Sequence, residues 1–194
     1  QIMIVDVHTH LPSHENEVPK SDLKFETLMK SGSGEPTKLT NSAKDYLNSF
    51  KDVDKTFIFG IAPKPWDKDN NVLDISGWSK KINHNDIAAK MATYDPNKII
   101  PFMSLHPLDP KINDEYDRCV LDLKLRGIKL GPNYQDFDPH CKEAMNLYSK
   151  LENDNIPIIF HQGTSPQKFA PLNYAHPETC LLYTSPSPRD VEET

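Results

Sequence analysis

The sequence has little of what marks secreted, membrane-spanning or nucleic-acid-binding proteins. Its three cysteines include no C-x-x-C pair, which makes them poor material for a disulfide framework or a cysteine zinc site. No run approaches the roughly 18 apolar residues of a membrane-spanning helix, and the first residues lack the plan of a secretory signal. A net charge of −6 leaves no basic surface for nucleic acid or an anionic membrane. We therefore expect a cytoplasmic protein whose partners are neither nucleic acid nor membrane.

What the chain does contain is a repeated alternation of apolar runs and amphipathic stretches. Five apolar runs are typical of strands buried on both faces, and they lie at 2–7, 55–63, 98–107, 127–132 and 156–163. Helical spacing of apolar residues fills the stretches 43–50, 86–94, 116–123 and 138–151. This alternation predicts a parallel α/β fold. Because a complete (β/α)₈ barrel needs roughly 250 residues, we predict about the first five β/α units of a barrel, with a doubly wound sheet as the alternative.

Local signals predict where some of these elements begin and end. Gly127 is predicted as the left-handed residue that closes the third helix. Asp138 and Pro139 are predicted as the N-cap and first residue of the fourth. Residues 11–41 are polar and are expected to form a long loop. No glycine-rich phosphate loop follows any predicted strand, which excludes the main nucleotide-binding folds.

The end of the chain does not continue the pattern. The segment "CLLYTSPSPRD" (180–190) has neither helical nor strand spacing, and it closely resembles the translation of adaptor DNA used to prepare sequencing libraries. We expect residues 1–179 to be the N-terminal part of a single barrel domain and residues 180–194 to be a non-native tail. The alternative is a native, disordered Pro/Ser tail. An ordinary coding continuation, reproduced in independent reads, would contradict the first interpretation.

Protonatable side chains stand at the carboxyl ends of four of the predicted strands, where parallel barrels carry their reacting groups. These side chains are His8 and His10 on the first strand, His106 on the third, Lys129 on the fourth and His161 on the fifth. Such a distribution over separate units is the strongest functional signal in the sequence.

The histidines of the first strand are two residues apart, so their rings point to the same side of an extended segment. Together with His161, His8 and His10 would supply three nitrogen ligands, a set that suits zinc or a similar divalent ion. Hydrogen-bonded core histidines are the alternative. Asp6 has the same parity, and we expect its carboxylate to orient its neighbours rather than to bind metal.

Two further residues are candidates for substrate binding. His106 either lines the pocket or is structural. Lys129 interrupts an apolar strand, where a buried amine is costly without a partner. It could hold a substrate carboxylate, pair with a buried acid, or bridge two metals as a carbamate. Tyr134 and Gln135 follow on a predicted loop and either reach the pocket or lie on the surface.

The remaining tryptophans and histidines carry weaker signals. Trp66 and Trp78 lie in a long loop and could form a lid over the pocket or pack to anchor the loop. For the histidines in loops and at helix starts we expect solvated positions; they are His14, His84, His140 and His176.

Three segments together resemble one family. "IVDVHTHLP", "RGIKLGPNYQDFDP" and "IPIIFHQGTSP" are similar to motifs of the amidohydrolase superfamily, most closely of the amidohydrolase-related branch that includes aminocarboxymuconate-semialdehyde decarboxylase. The resemblance covers residues 2–178. It implies a (β/α)₈ barrel with a divalent metal, usually zinc, held at its carboxyl end by His8, His10 and His161. It also implies a strand-six histidine and a strand-eight aspartate, which lie beyond this chain, so the truncated chain by itself is expected to be inactive.

The function that this resemblance implies for the complete enzyme is metal-dependent hydrolysis of a small carbonyl or carboxylate compound by a metal-activated water. Non-oxidative decarboxylation within the same superfamily is the first alternative. A TatD-like or histidinol-phosphatase-type phosphoesterase also begins with D-x-H-x-H, although the acidic chain offers no surface for a phosphate backbone. A non-catalytic metal-binding barrel remains as a different class of function, and homo-oligomerisation is left open.

Overall fold

A computed structural model describes residues 2–26, 37–67, 73–165 and 171–178. The chain forms two compact units. The N-terminal unit comprises Gln1–Gly60 and Leu73–Phe102, and the C-terminal unit comprises Ile61–Val72 and Met103–Thr194. The predicted non-native tail lies outside the described residues, as does part of the loop predicted for residues 11–41.

The N-terminal unit contains a parallel sheet covered by helices. Its elements in chain order are β1 (Val5–His10), β2 (Phe25–Glu26), β3 (Thr37–Lys38), α1 (Ala43–Ser49), β4 (Lys55–Phe59), α2 (His84–Tyr94) and β5 (Ile99–Pro101). The sheet has the order β1-β4-β5 with parallel pairing, and β2 and β3 form a separate antiparallel ribbon. This ribbon, with a 3₁₀ turn at Lys20–Asp22, lies within the segment predicted as a long loop.

Capping and apolar burial explain the two helices of this unit. α1 starts with a capping box in which the Asp45 N–H donates to Ser42 Oγ (3.1 Å) and the Ser42 N–H donates to Asp45 Oδ2 (2.9 Å). Asn83 and Asp86 form the same motif at the start of α2. The apolar faces of both helices belong to one core cluster with the strands β4 and β5. The burial of Tyr46, Ile87 and Met91 therefore follows the predicted helical spacing, whereas Tyr94 at the end of α2 is 45% exposed.

The first strand differs from its prediction. β1 runs from Val5 to His10 rather than over residues 2–7, so both histidines belong to the strand. The expectation that it is buried on both faces is wrong, because Val5 is 39% exposed and Val7 is 52% exposed. Within this unit the described residues pair with β1 on one side only, through β4, and an edge strand leaves its outer positions uncovered.

The C-terminal unit is built on a second parallel pair of strands. Its elements are α3 (Ile112–Asp117) with a π-helical continuation (Arg118–Asp122), β6 (Ile128–Leu130), α4 (Pro132–Gln135), α5 (Lys142–Asn153), β7 (Ile158–Phe160) and a 3₁₀ turn (Leu172–Ala175). β6 and β7 are parallel, and Met103 forms a further parallel bridge to Ile128. β6 is buried along its whole length.

Two predicted helix boundaries in this unit are wrong. The left-handed residue after the third helix is Lys124 (φ 56°), not Gly127, whose carbonyl already accepts a hydrogen bond from Met103 beside the sheet. α5 begins at Lys142 instead of Pro139. The Asp138 carboxylate caps a preceding turn, where it accepts a hydrogen bond from the His140 N–H (2.8 Å). A polar residue before a proline serves a turn as readily as a helix start.

The predicted order of strands and helices is otherwise confirmed, and the fold is α/β with parallel strands. Two details differ: β5 ends at Pro101, so His106 lies beyond the strand end predicted for it, and Pro132–Gln135 form a helix where a loop was predicted. Among the described residues, none of the helices has the length and apolar character needed to cross a membrane.

Candidate active site

The two histidines of β1 lie against one buried aromatic ring. The His8 and His10 ring centroids are 5.2 Å apart, and each lies 5.2 Å from the Phe59 ring in an edge-to-face arrangement. Phe59 is the last residue of β4, is fully buried, and pairs in register with His10. The predicted proximity of the two imidazoles is confirmed, with Phe59 as the floor beneath them.

A local irregularity at the end of β1 sets the direction of this pair. The pairing with β4 shifts register between Asp6 and Thr9, and Asp6 Oδ1 accepts a hydrogen bond from the His8 N–H (3.0 Å). Thr9, between the histidines, is buried and donates its hydroxyl to the Phe57 carbonyl (2.6 Å). The buried Thr9 hydroxyl therefore anchors β1 to β4, while the side chains of His8 and His10 are exposed. The half-buried Asp6 carboxylate accepts a backbone N–H as predicted, and the expectation that it does not bind metal stays a prediction.

In the C-terminal unit, His161 follows directly on β7. Its N–H donates to the Leu130 carbonyl (2.8 Å), and its Nε2 lies 3.2 Å from the Thr164 carbonyl oxygen. Burial lowers the pKa of His161, and the charge of nearby Lys129 lowers it further, so the ring is neutral at neutral pH. With Nε2 donating to the carbonyl, Nδ1 presents its lone pair. This is the usual state of a metal-ligating histidine, whose second nitrogen is held by a backbone carbonyl.

Lys129 lies in the middle of β6 and is 1% exposed. Burial lowers the pKa of its amine to about 8, so that it remains largely protonated at pH 7. It is close enough to His161 for its charge to act on that ring. A cation in this position suits an anionic group at the carboxyl ends of β6 and β7.

The side chain of Gln135 joins three segments at this end of the strands. Its amide nitrogen donates to the carbonyls of Ala62 (3.3 Å) and Leu105 (3.1 Å), and its Oε1 accepts from the Gly131 N–H (2.8 Å). The residue is fully buried, in α4 rather than in a loop. Of the two predicted possibilities, surface exposure is therefore wrong.

Ser104 makes a second connection of the same kind. Its hydroxyl accepts from the Ala62 N–H (2.9 Å) and donates to the Lys129 carbonyl (3.1 Å). The Lys129 carbonyl and the Gly131 N–H are thereby held by buried polar side chains, which gives the lysine a defined position.

His106 is buried and uses both ring nitrogens within the protein. Nε2 lies 2.8 Å from the Gln135 carbonyl oxygen, and Nδ1 accepts from the Leu108 N–H (3.2 Å). The Trp66 ring contacts it edge-on at 5.2 Å. Of the two roles predicted for His106, lining the pocket or supporting the structure, these contacts favour the second.

Other predicted positions are also settled by packing. Trp78 is buried in the N-terminal unit and donates from Nε1 to the Pro12 carbonyl (2.8 Å), which is the anchoring role. The expectation of a solvated His14 is wrong, because its ring is buried between Ser13 Oγ (2.9 Å) and Asp22 Oδ2 (3.1 Å). His140 and His176 are exposed as predicted, and His84 is half-buried.

The structure therefore brings together His8 with His10 in the N-terminal unit, and Lys129 with His161 in the C-terminal unit. Among the residues that the structure describes, there is no group of three or more His, Cys, Asp or Glu side chains arranged to hold a metal ion.

A family model described as amidohydrolase matches residues 5–184. The chain belongs to this amidohydrolase family. The match includes β1, the histidine pair, Lys129 and His161, so the residues discussed above lie within the family's common sequence region.

Solved structures share the fold of this amidohydrolase. They include 2,6-dihydroxybenzoate decarboxylase from Rhizobium, with a TM-score of 0.53, 17% identity, and coverage of 92% of this chain and 55% of that one. 5-Carboxyvanillate decarboxylase from Sphingomonas paucimobilis matches with a TM-score of 0.55 and 14% identity, over 87% of this chain and 54% of that one. 4-Oxalomesaconate hydratase from Rhodopseudomonas palustris matches with a TM-score of 0.50 and 21% identity, over 82% of this chain and 52% of that one.

The chain spans about half the length of these three solved structures. At such low identity the likeness concerns the fold alone. It confirms the predicted α/β architecture, in which the chain supplies about the first half of a (β/α)₈ barrel.

Sequence reasoning missed some residues of the candidate site. Phe59 reads as an ordinary core residue of an apolar strand, and no local signal distinguishes it. Ser104 was detectable, because it interrupts the apolar run "PFMSLHP" as Lys129 interrupts "GIKLGP". A polar residue inside a buried strand needs a partner, and that requirement is the signal.

Proposed function

We propose that the protein carrying this chain is a metal-dependent enzyme that acts on a small carbonyl or carboxylate compound, with hydrolysis as the first reaction class. The observation that carries the proposal is the packing of His8 and His10 side by side at the end of β1 in a chain of the amidohydrolase family. Two imidazoles at the carboxyl end of a parallel strand are typical of a catalytic metal site in such barrels.

We assign the metal to His8, His10 and His161. The donor chemistry fits: each is an imidazole at the end of a parallel strand, and His161 offers Nδ1 while Nε2 faces the Thr164 carbonyl. When bound, a divalent ion would act as a Lewis acid towards a substrate oxygen. Zinc is the first choice for three nitrogen ligands.

The protein's own groups orient the substrate. Lys129 is placed to bind a carboxylate of the substrate by charge, since it is buried, largely protonated at pH 7 and adjacent to His161. Ser104 and Gln135 hold the strand ends in fixed positions around it. By the family resemblance, the groups that move protons, a strand-six histidine and a strand-eight aspartate, come from the part of the barrel beyond this chain.

Decarboxylation is the second candidate, and the buried cation favours it. A carboxylate held by Lys129 is a group that such an enzyme could remove, and the structures of similar fold named above include decarboxylases of 2,6-dihydroxybenzoate and 5-carboxyvanillate. The two reactions require similar recognition and differ in the bond that breaks.

The first experiment measures metal in the full-length protein. Wild type, the double variant His8→Ala/His10→Ala and the control His140→Ala are purified identically, and zinc and manganese are quantified by mass spectrometry. We expect the double variant to lose bound metal and the control, which changes an exposed imidazole, to retain it. Equal metal content in all three proteins would refute the assigned ligands.

The second experiment identifies the reaction. The metal-loaded protein is incubated with a panel of hydroxybenzoates, 5-carboxyvanillate and small esters, amides and lactones, while released carbon dioxide and released acid are measured separately. Carbon dioxide identifies decarboxylation, and acid without it identifies hydrolysis. Bound metal with turnover of no panel member would support the non-catalytic alternative.

A further inference from the structure

Tyr134 lies at the carboxyl end of β6, beside the residues of the proposed site. It belongs to α4, the short helix that follows β6, and its ring centroid lies 5.0 Å from that of His161 in an edge-to-face contact. Lys129 lies on β6 and pairs in register with Ile159 of β7. Tyr134 and His161 therefore contact each other where β6 and β7 end, and Lys129 lies on the same pair of strands.

The sequence around Tyr134 holds its ring in one place. A Cβ atom on Gly131 would lie 1.8 Å from Tyr134 Cζ and 2.3 Å from its hydroxyl oxygen, so the ring occupies the space that only glycine leaves open. The Tyr134 N–H donates to Asn133 Oδ1 (2.9 Å), and Asn133 Nδ2 donates to the Gly163 carbonyl after β7 (3.2 Å). Gln135 on the other side is fixed by its own hydrogen bonds. This ring is preorganised rather than mobile.

The hydroxyl of Tyr134 has no hydrogen-bond partner among the described residues. The residue is 8% exposed, and its buried hydroxyl oxygen makes no hydrogen bond to any atom that the structure describes. Buried polar groups in native proteins nearly always have a partner, and an unmade hydrogen bond of this kind is destabilising. A phenol offers one O–H donor, so this hydroxyl can donate a hydrogen bond to a bound group.

We propose that the Tyr134 hydroxyl donates a hydrogen bond to an anionic oxygen of the bound substrate, either a carboxylate or a phenolate oxygen, next to His161 and Lys129. This assignment rests on the proposed function and names one more residue of its substrate site. A fixed neutral donor beside a buried cation recognises an anionic oxygen and leaves a neutral, oxygen-free group at the same place unpaired.

The test is Tyr134→Phe in the metal-loaded full-length protein. The variant keeps the ring against Gly131 and His161 and removes only the hydroxyl. Binding of benzoate, 2-hydroxybenzoate and 2,6-dihydroxybenzoate is measured by titration calorimetry. We expect the affinity to fall by roughly 10- to 100-fold, the effect of one hydrogen bond to a charged acceptor. A loss for all three probes identifies the carboxylate oxygen, and a loss confined to the two hydroxylated probes identifies the oxygen of the ring hydroxyl.

Tyr148→Phe is the matched control. Tyr148 is also 8% exposed and also contacts an aromatic residue of β7, with its ring 5.6 Å from that of Phe160, but it belongs to α5. We expect this variant to bind the probes as wild type does. An equal loss in both variants would show a general effect of removing a buried hydroxyl and would overturn the assignment.

Thermal unfolding without probe separates substrate contact from a structural role. If the Tyr134 hydroxyl makes a hydrogen bond only when substrate is bound, Tyr134→Phe leaves the ligand-free protein as stable as wild type or more stable. Lower stability with unchanged probe affinity would overturn the assignment, as would wild-type protein that binds none of the three probes. Metal content, measured on the same samples, reports on the proposed metal site independently of either result.

Discussion

Replacement of Phe59 by leucine tests whether the histidine pair is positioned by the ring beneath it. Leucine keeps most of the apolar volume at this fully buried position but removes the aromatic edge-to-face contacts to His8 and His10. If the ring holds both imidazoles in the orientation that a metal needs, the variant folds and binds metal more weakly.

The structure gives the size of the effect. Aromatic pairs contribute about 0.5–1.5 kcal/mol each beyond area burial, so the two contacts of Phe59 amount to about 1–3 kcal/mol of orientation energy. Residues that orient metal ligands typically cost about 10- to 100-fold in metal affinity when changed. We expect the zinc dissociation constant of Phe59→Leu to rise about tenfold, with a loss of about 1–2 kcal/mol in the free energy of unfolding from the imperfect fit of leucine.

The assay is competitive zinc titration of the full-length protein against a chelating dye. Phe57→Leu is the control, because Phe57 lies on the same strand and stacks on Phe102 with centroids 4.8 Å apart and an interplanar angle of 22°. It changes the strand's packing without touching the pair. We expect its zinc affinity to equal that of wild type.

A metal-free readout accompanies the titration. In the NMR spectrum of the apo protein, the Phe59 ring current shifts the His8 and His10 imidazole resonances, and both should move towards unperturbed values in Phe59→Leu. Equal zinc affinity in Phe59→Leu, Phe57→Leu and wild type would refute a positioning role for this ring, whatever the resonances do.

Two further predictions concern stability. Gln135→Leu removes the hydrogen-bond partner of three buried backbone groups, so its free energy of unfolding in urea should fall by at least about 2 kcal/mol. The control Asn146→Ala changes an exposed residue and should leave the free energy of unfolding near that of wild type. A decrease below about 0.5 kcal/mol in Gln135→Leu, the size of a surface change, would contradict the proposal that Gln135 joins the three segments. Backbone hydrogen bonding at Ser42 lowers the pKa of Asp45, so this carboxylate stabilises the fold above its unfolded pKa and loses the effect as pH falls through its folded pKa. Asp45→Asn should therefore unfold more easily than wild type at pH 7 and equally at strongly acidic pH; a difference that persists in acid would contradict this.

The order of strands and helices could be predicted because each element carries its own periodicity. Ile58, Ile87 and Met91 are buried at the positions where strand and helix spacing place them, and the pattern depends only on residues a few positions apart. The histidines at strand ends could be found for the same reason, since parallel strands collect their carboxyl ends at one edge.

Long-range partners could not be predicted in this way. His14 was expected at the surface, yet Asp22 and Ser13 enclose its ring, and the Cβ of any side chain at Gly77 would lie 2.1 Å from it. The burial of a polar side chain depends on which loop crosses it, and that is a property of the folded chain. The helix start at Lys142 was missed because an aspartate before a proline can accept a hydrogen bond either in a turn or at a helix N-terminus. In the structure, Asp138 does so in a turn.

The buried polar side chains at this site are of two kinds. The Ser104 hydroxyl bonds to two neighbouring backbone groups, and it therefore serves the fold. Lys129, one strand further along the chain, places a charge of lowered pKa beside His161, and Tyr134 places a hydroxyl there that no described residue accepts. A buried hydroxyl that no described residue accepts lowers the stability of the fold. That cost is explained if a substrate oxygen accepts its hydrogen bond, which is the arrangement expected of a site organised before its ligand arrives.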